Sequence, residues 1–200
     1  LLSSLYSGYH PTWDTSKVRP KGERLKTFGG RSSGPEPLER LFKFTVNTFL
    51  EAEGRQLTPI EVHDIVCMVG EIVIAGGVRR SALISLSDLD DREMSKAKSG
   101  AWWETSGHRA LSNNSAVYTT KPSMGRFMEE WSSIYDSHSG ERGICNREAM
   151  NTIATASGRE SCNWGTNPCS EIILRPKQFC NLSEVVIRPY DNKATIKRKV

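Results

Sequence analysis

The sequence lacks an apolar run approaching the ~20 residues that a helix needs to cross a bilayer, and no segment resembles a signal peptide. These absences predict a cytoplasmic protein with no membrane partner. No two cysteines have CxxC spacing, and no His lies close in sequence to Cys169 or Cys180. Because structural zinc sites draw on Cys and His ligands at short spacings, no metal site is expected.

The composition is that of an ordinary folded chain, with 37% hydrophobic and 25% charged residues. The net charge of +4 is modest and comes partly from the last few residues, so it does not favour a nucleic-acid partner. The chain opens without Met and ends without a terminating signal. We therefore expect residues 1–200 to be an internal fragment of a single domain, truncated at both termini.

Five cysteines, an odd number in a chain without a secretion signal, argue against a disulfide scaffold. Cys67 lies in a predicted helix and Cys145 in a short predicted strand, so both are expected in the core. The other three, Cys162, Cys169 and Cys180, lie close together along the chain. That grouping favours thiol redox chemistry.

Helical and strand patterns alternate along the chain, which predicts the α/β class. Thr58, Pro59 and Glu61 have the spacing of a capping box, and the helix they begin has an apolar body over 60–75 that is expected to be well buried. A helix over 123–138 carries an apolar stripe typical of core packing. The other expected elements are helices over 37–53 and 148–156 and strands over 82–86, 115–120, 143–146 and 180–187.

Two Gly-rich segments allow more than one interpretation. Gly76 and Gly77 follow the predicted helix and lead directly into Arg79 and Arg80. A double glycine is an ordinary helix stop, and two arginines before a strand also suit an anion-binding loop. The stretch over 28–35 is either a connector or a phosphate cradle, although the spacing of a Walker loop is missing.

A short run from Asn167 to Glu171 combines several groups that chemistry can use. Pro168 disfavours helix at the residue before it and stiffens the chain, so Cys169 is expected on a fixed loop. If the backbone is extended, Glu171 projects to the same side as Cys169. A thiol beside a carboxylate suits a site that handles both a hydrogen atom and a proton.

Two further groups extend this site. Asn167 adds an amide that donates and accepts hydrogen bonds, and Cys180 begins the strand expected over 180–187, where a returning loop brings a second thiol near the first. From the residues alone, a turn with two incidental cysteines is an alternative.

Several ordered segments resemble the ribonucleotide reductases. They are the finger loop and following strand at Asn167–Glu171 and Phe179-Cys180-Asn181-Leu182, the specificity loop at Gly76-Gly77-Val78-Arg79, a GEPGIFNR-like stretch at 140–148, and the region before the specificity helix at 18–22 and 25–38. Arg142 and Cys145 depart from the family pattern, which has Pro and Phe at these positions.

The resemblance implies a fold, a branch and a cofactor. The fold is a ten-stranded α/β barrel whose central finger loop carries the cysteine. The run from Cys180 to Val185, with Lys26–Pro37 upstream, resembles the monomeric branch that depends on adenosylcobalamin and reduces ribonucleoside triphosphates. The implied cofactor is thus adenosylcobalamin, and the sequence does not indicate which residues contact it.

The same resemblance assigns roles within the site. Cys169 becomes a thiyl radical that removes the 3′ hydrogen of the ribose, and Glu171 is the general base on the 3′ hydroxyl. Asn167 hydrogen-bonds the sugar hydroxyls or orients Glu171. Cys180 is one half of the reducing pair, with its partner expected upstream of this chain.

The resemblance also implies partners. The loop containing Gly76, Gly77, Arg79 and Arg80 would link a bound nucleotide effector to the choice of substrate base. A ribonucleoside triphosphate is the implied substrate, and a thioredoxin-like dithiol is the implied reductant.

Three other interpretations make different predictions. The large subunit of an iron-dependent ribonucleotide reductase would need a metal-containing partner subunit instead of cobalamin. A nucleic-acid-binding module using Trp102, Trp103 and the basic tail would bind single strands with a steep salt dependence. The protein product of a split gene would have no catalytic activity.

Overall fold

Helices surround a small parallel sheet in the computed structural model, which describes residues 1–26, 29–75, 78–79 and 81–200. The predicted α/β class is confirmed. Within the described residues, no helix has the length and apolar character needed to span a membrane.

The helices and strands have the following bounds. The helices are α1 (Leu2–Tyr6), α2 (Glu36–Glu51), α3 (Pro59–Ile72), α4 (Arg92–Ser95), α5 (Trp102–Thr105), a 3-10 helix (Gly107–Leu111), α6 (Met124–Ser137), α7 (Arg147–Ala156) and α8 (Lys193–Lys199). The strands are β1 (Ile74–Ala75), β2 (Val78–Arg79), β3 (Leu83–Asp88), β4 (Ser112–Tyr118), β5 (Gly143–Asn146), β6 (Gly165–Thr166) and β7 (Ile173–Leu174).

The main sheet has the order β3-β4-β5, and both pairs of neighbours are parallel. Parallel neighbours require a crossover connection, which α4, α5 and the 3-10 helix provide between β3 and β4, and α6 provides between β4 and β5. The central strand β4 is buried at every position except Asn113. This strand therefore forms the middle of the core.

The predicted capping box begins α3. The Thr58 hydroxyl accepts from the Glu61 amide, and the Glu61 carboxylate accepts from the Thr58 amide at 2.8 Å. The helix ends at Ile72, earlier than predicted, because Ile74–Ala75 turns into β1 and pairs with β2. The expectation that its body is well buried is only half right, since Cys67 is fully buried while Val62, Val66 and Val69 are more than 40% exposed.

The prediction for α6 is wrong about which face is buried. Met124, Trp131 and Tyr135 of its apolar stripe are each more than half exposed, whereas Glu130 is buried. The reason lies in Arg142, whose guanidinium is also buried and holds both carboxylate oxygens of Glu130, at 2.7 and 3.1 Å. A buried charge requires a charged partner, and this requirement turns a polar residue of α6 inward.

Arg142 also connects the ends of two strands. Its guanidinium donates to the hydroxyl of Ser87 at 2.9 Å and to the carbonyls of Asp88 and Leu89 at 2.8 and 2.6 Å. Since Arg142 directly precedes β5, these bonds tie the start of β5 to the end of β3. The residue that departs from the family pattern thus fills a structural role here.

A second polar cluster holds β4 against α3. Asp64 accepts two hydrogen bonds of 2.6 Å from Arg109, and the neighbouring His63 lies 3.1 Å from the side-chain oxygen of Asn114. Burial opposes ionisation of Asp64, but the hydrogen bonds from Arg109 and the two adjacent histidines outweigh it and hold its pKa well below the usual range. The cluster fixes Asn114, and with it the register of β4 relative to the helix.

The prediction of a strand over 180–187 is wrong, since these residues have no regular secondary structure in the structure. Alternating apolar residues form a strand only when a neighbouring strand accepts their backbone hydrogen bonds. Within the described part of the chain, no strand pairs with this segment, and Phe179, Leu182 and Ile187 are largely exposed.

Replacing Glu130 with Gln should lower the free energy of unfolding by about 3 kcal/mol or more, because it leaves the buried Arg142 charge without a counter-charge. Urea titration of the variant and the parent measures the difference. The matched control is Asp90→Asn, which removes a carboxylate that is 89% exposed and paired with Arg126, and should cost about 1 kcal/mol or less. Equal small effects from both substitutions would contradict a stabilising role for the buried pair.

Candidate functional site

The motif that contains Cys169 forms the loop of a short hairpin. Strands β6 and β7 are antiparallel, with Gly165 opposite Leu174 and Thr166 opposite Ile173. The loop between them, residues 167–172, therefore leaves the sheet and returns to it within six residues. Cys169 and Glu171 lie on this loop, together with Asn167.

A tight turn places Cys169 at the tip. The Ser170 amide donates to the Asn167 carbonyl at 2.9 Å, so residues 167–170 form a β-turn with Pro168 in the second position, which its fixed φ suits. Ser170 then adopts the left-handed conformation with φ of 65°. Cys169 is exposed at the corner, and its position on a short loop agrees with the sequence prediction.

Asn167 closes the loop from inside. It is buried, and its side-chain oxygen accepts from the Ile172 amide at 3.0 Å. The backbone N–H of Asn167 donates to the Ile172 carbonyl at 3.3 Å. The Asn167 oxygen is thus occupied by the loop backbone.

The hairpin is anchored at its base by Trp164. This side chain is fully buried, and the guanidinium groups of Arg159 and Arg175 lie 4.4 and 5.2 Å from its ring. Its indole N–H donates to the side chain of Asn151 on α7 at 2.9 Å. Stacked guanidinium groups and a satisfied indole N–H make the base a fixed support for the loop above it.

Asn113 of the central strand contacts the loop directly. Its side-chain amide donates to the carbonyl of Pro168 at 2.7 Å, across 55 residues of sequence. The sequence alone had assigned no role to Asn113. The signal in the sequence is a pair of adjacent amides, Asn113 and Asn114, directly before the strand predicted over 115–120.

Glu171 and Cys180 are less constrained than the rest of the site. Glu171 is exposed, and because Ser170 is left-handed the backbone is not extended between Cys169 and Glu171. The strand alternation that would place the two side chains on one side therefore does not apply. Cys180 is half-buried in the irregular segment after β7, and both thiols are free.

The predicted effector loop lies largely outside the described residues. Gly76, Gly77 and Arg80 are not among them. Arg79 belongs to β2, which pairs with β1 to form a two-stranded ribbon after α3, and only its backbone is described.

The remaining buried cysteines are in the core, as predicted. Cys67 is fully buried, and burial raises the pKa of its thiol to about 12. Burial also raises the pKa of the Cys145 thiol. Across the described ranges, no group of three or more His, Cys, Asp or Glu side chains is arranged to hold a metal ion.

No protein-family model matches the sequence. The chain is 35% identical over 179 residues to an adenosylcobalamin-dependent ribonucleoside-triphosphate reductase from Lactobacillus helveticus, covering 86% of this chain and 23% of that protein. The protein of the same name from Lacticaseibacillus paracasei is 37% identical over 180 residues, with the same coverage.

A solved structure gives the same result. The chain is similar to a crystal structure of a B12-dependent, class II ribonucleotide reductase, with a TM-score of 0.64 and 28% identity over 80% of this chain and 22% of that one. The resemblance predicted from the motifs, including the cobalamin-dependent branch, is confirmed. The chain spans about a quarter of the length of the curated relatives it matches, 23%.

Thiol reagents should modify Cys169 in the native protein and leave Cys67 and Cys145 unmodified at pH 8. The thiolate is the reactive form, and Cys67 combines full burial with a pKa of about 12, whereas Cys169 is exposed. Peptide mass spectrometry after alkylation identifies the sites, and the urea-denatured protein, in which every cysteine should react, is the control. Labelling of Cys67 as fast as Cys169 would contradict the arrangement of the core.

Proposed function

We propose that this chain forms part of a ribonucleotide reductase, in which it supplies the loop where the ribose is reduced. The supporting observation is that the segment matching the family motif forms a braced hairpin loop with an exposed thiol at its tip. The similarity to two adenosylcobalamin-dependent ribonucleoside-triphosphate reductases supports the same proposal. Activity, substrates and partners belong to the longer protein.

Cys169 carries the central step. The exposed thiol loses its hydrogen atom, and the resulting thiyl radical removes the 3′ hydrogen of the ribose and forms the S–H bond again. The turn at Pro168 and the exposed corner support this role, since the sulfur must reach a sugar outside the loop. At the end of the cycle the same hydrogen returns to the 3′ carbon.

Glu171 and Asn167 have different tasks beside it. Glu171 accepts the proton of the 3′ hydroxyl, and the 2′ hydroxyl then leaves as water with a proton from one of the two reducing thiols. The oxygen of Asn167 is bound to the Ile172 amide, so its side-chain N–H groups are the part left to contact a sugar hydroxyl or Glu171. The side-chain oxygen of Asn167 thus holds the loop, and its side-chain N–H groups contact the substrate or Glu171.

Reduction and nucleotide binding involve this chain together with other parts of the longer protein. Cys180 contributes one of two thiols that become a disulfide as the 2′ carbon is reduced, and a thioredoxin-like dithiol restores them. The substrate is a ribonucleoside triphosphate, as in the names of the relatives. The segment with Gly76, Gly77, Arg79 and Arg80 links a nucleotide effector to base choice.

Adenosylcobalamin is the proposed cofactor and, when bound, supplies the hydrogen-abstracting radical. The described residues fit this source of the radical, because the Cys169 thiol is exposed and not enclosed by its own loop. The cobalamin-binding residues are not assigned to this chain. In the longer protein, residues 1–200 belong to one ten-stranded α/β barrel, with 167–172 as its finger loop.

The full-length protein should reduce all four ribonucleoside triphosphates under anaerobic conditions with a dithiol, and only when adenosylcobalamin is added. Product deoxynucleotides separated by chromatography measure the reaction. If turnover instead requires a metal-containing partner subunit, the protein is still a ribonucleotide reductase, but it belongs to the iron-dependent branch. No turnover under either condition would contradict the proposed function.

Glu171→Gln should lower turnover by about 10²–10⁴-fold, the usual contribution of a general base. Cys169→Ala should abolish turnover while leaving nucleotide binding largely intact, because the thiol acts in the chemical step. Initial rates and equilibrium binding of a triphosphate separate the two effects. Residual turnover in Cys169→Ala would rule out the radical role.

A further inference from the structure

We propose that Asn113 is a positioning residue that fixes the Cys169 thiol by holding the carbonyl of Pro168. This inference rests on the proposed function and adds to it a residue from a distant part of the chain. It follows from a contact between the central strand of the sheet and the catalytic loop, which the motif around Cys169 does not contain.

The contact uses a carbonyl that the loop itself leaves available. The hydrogen bond of the turn takes the Asn167 carbonyl, and the loop is closed by the Asn167 side chain. The Pro168 carbonyl instead accepts from the Asn113 side-chain amide at 2.7 Å, near the short end of the usual range. Asn113 is therefore an external support for a turn that is already closed internally.

The held carbonyl belongs to the peptide unit that ends at Cys169. This unit is planar, so fixing the Pro168 oxygen also fixes the direction of the Cys169 amide and the position of its Cα. The proline ring restricts φ on the other side. The turn hydrogen bond from the Ser170 amide to the Asn167 carbonyl limits rotation about the Cys169 backbone, so the sulfur moves mainly by rotation about χ1.

Asn113 is itself held by its neighbour in β4. Successive residues of a strand point to opposite faces, so Asn114 faces α3 and Asn113 faces the hairpin. His63 lies 3.1 Å from the Asn114 oxygen, and the adjacent Asp64 is paired with Arg109. The strand is thus fixed on one face and supports the catalytic loop from the other.

This role makes a specific kinetic prediction. A misplacement of about 1 Å can cost about 10²-fold in rate, whereas a hydrogen bond that only stabilises the fold leaves the chemical step unchanged. Loss of the Asn113 donor should therefore lower kcat and leave KM close to its original value. It should also loosen the loop, which is visible without any turnover.

The test uses Asn113→Asp in the full-length protein. Aspartate keeps the shape of the side chain but replaces the N–H donor with an oxygen that repels the Pro168 carbonyl. Asn113→Ala removes the donor without adding a charge. The matched control is Asn163→Asp, because Asn163 is also exposed, lies shortly before the hairpin, and within the described residues donates no hydrogen bond to the loop.

Two measurements are made on each variant. Steady-state kinetics of triphosphate reduction should show kcat lowered by about 10²-fold in both Asn113 variants and unchanged in Asn163→Asp. Hydrogen exchange followed by mass spectrometry should show faster exchange of the Ser170 and Ile172 amides in the Asn113 variants alone, because both amides are bonded within the loop that Asn113 steadies.

The possible outcomes separate the inference from the proposed function. Unchanged kcat, a rise in KM alone, or unchanged exchange in the Asn113 variants would each overturn the positioning role. If the wild-type protein reduces no ribonucleotide, the proposed function fails, while the exchange data still decide whether Asn113 holds the loop. Lower kcat together with faster exchange supports the inference.

Discussion

Buried and partly buried charges around the central sheet each require a partner, and this constraint organises the rest of the structure. Arg142 and Glu130 join the start of β5 to α6, and Asp64 and Arg109 join α3 to the segment before β4. The buried Lys98 likewise donates to the Ser112 carbonyl and pairs with Glu141 at 2.8 Å. Because an unpaired buried charge is costly, these contacts permit few alternative arrangements of the helices around the three strands.

The loop of residues 167–172 benefits from this rigidity although it contributes little to it. The hairpin of β6 and β7 has only two pairs of residues, which is too small to be stable alone. It is supported at its base by Trp164 and at its tip by Asn113, and these residues lead respectively to α7 and to the central strand. An exposed thiol can therefore occupy a defined position on a loop of six residues.

The sequence predicted features that depend on nearby residues. The capping box at Thr58, the loop that carries Cys169 and the burial of Cys67 were correct, because each follows from interactions within a few positions or from side-chain character. The strand over 180–187 was wrong for the opposite reason, since a strand exists only where a partner accepts its hydrogen bonds. The prediction that the apolar stripe of α6 packs in the core was wrong because Arg142, outside that helix, determined which face is buried.

The sequence by itself determined the motif, the placement of Cys169 on a loop, the α/β class and the resemblance to ribonucleotide reductases. Each of these depends on residue types and short spacings, which are local properties of the chain. Only the tertiary structure decided that Asn113 holds Pro168, that Glu130 is turned inward, and that Asn167 uses its oxygen within the loop. The Asn113 contact joins positions 55 residues apart, and no local preference selects one amide among many until the fold brings the two groups together.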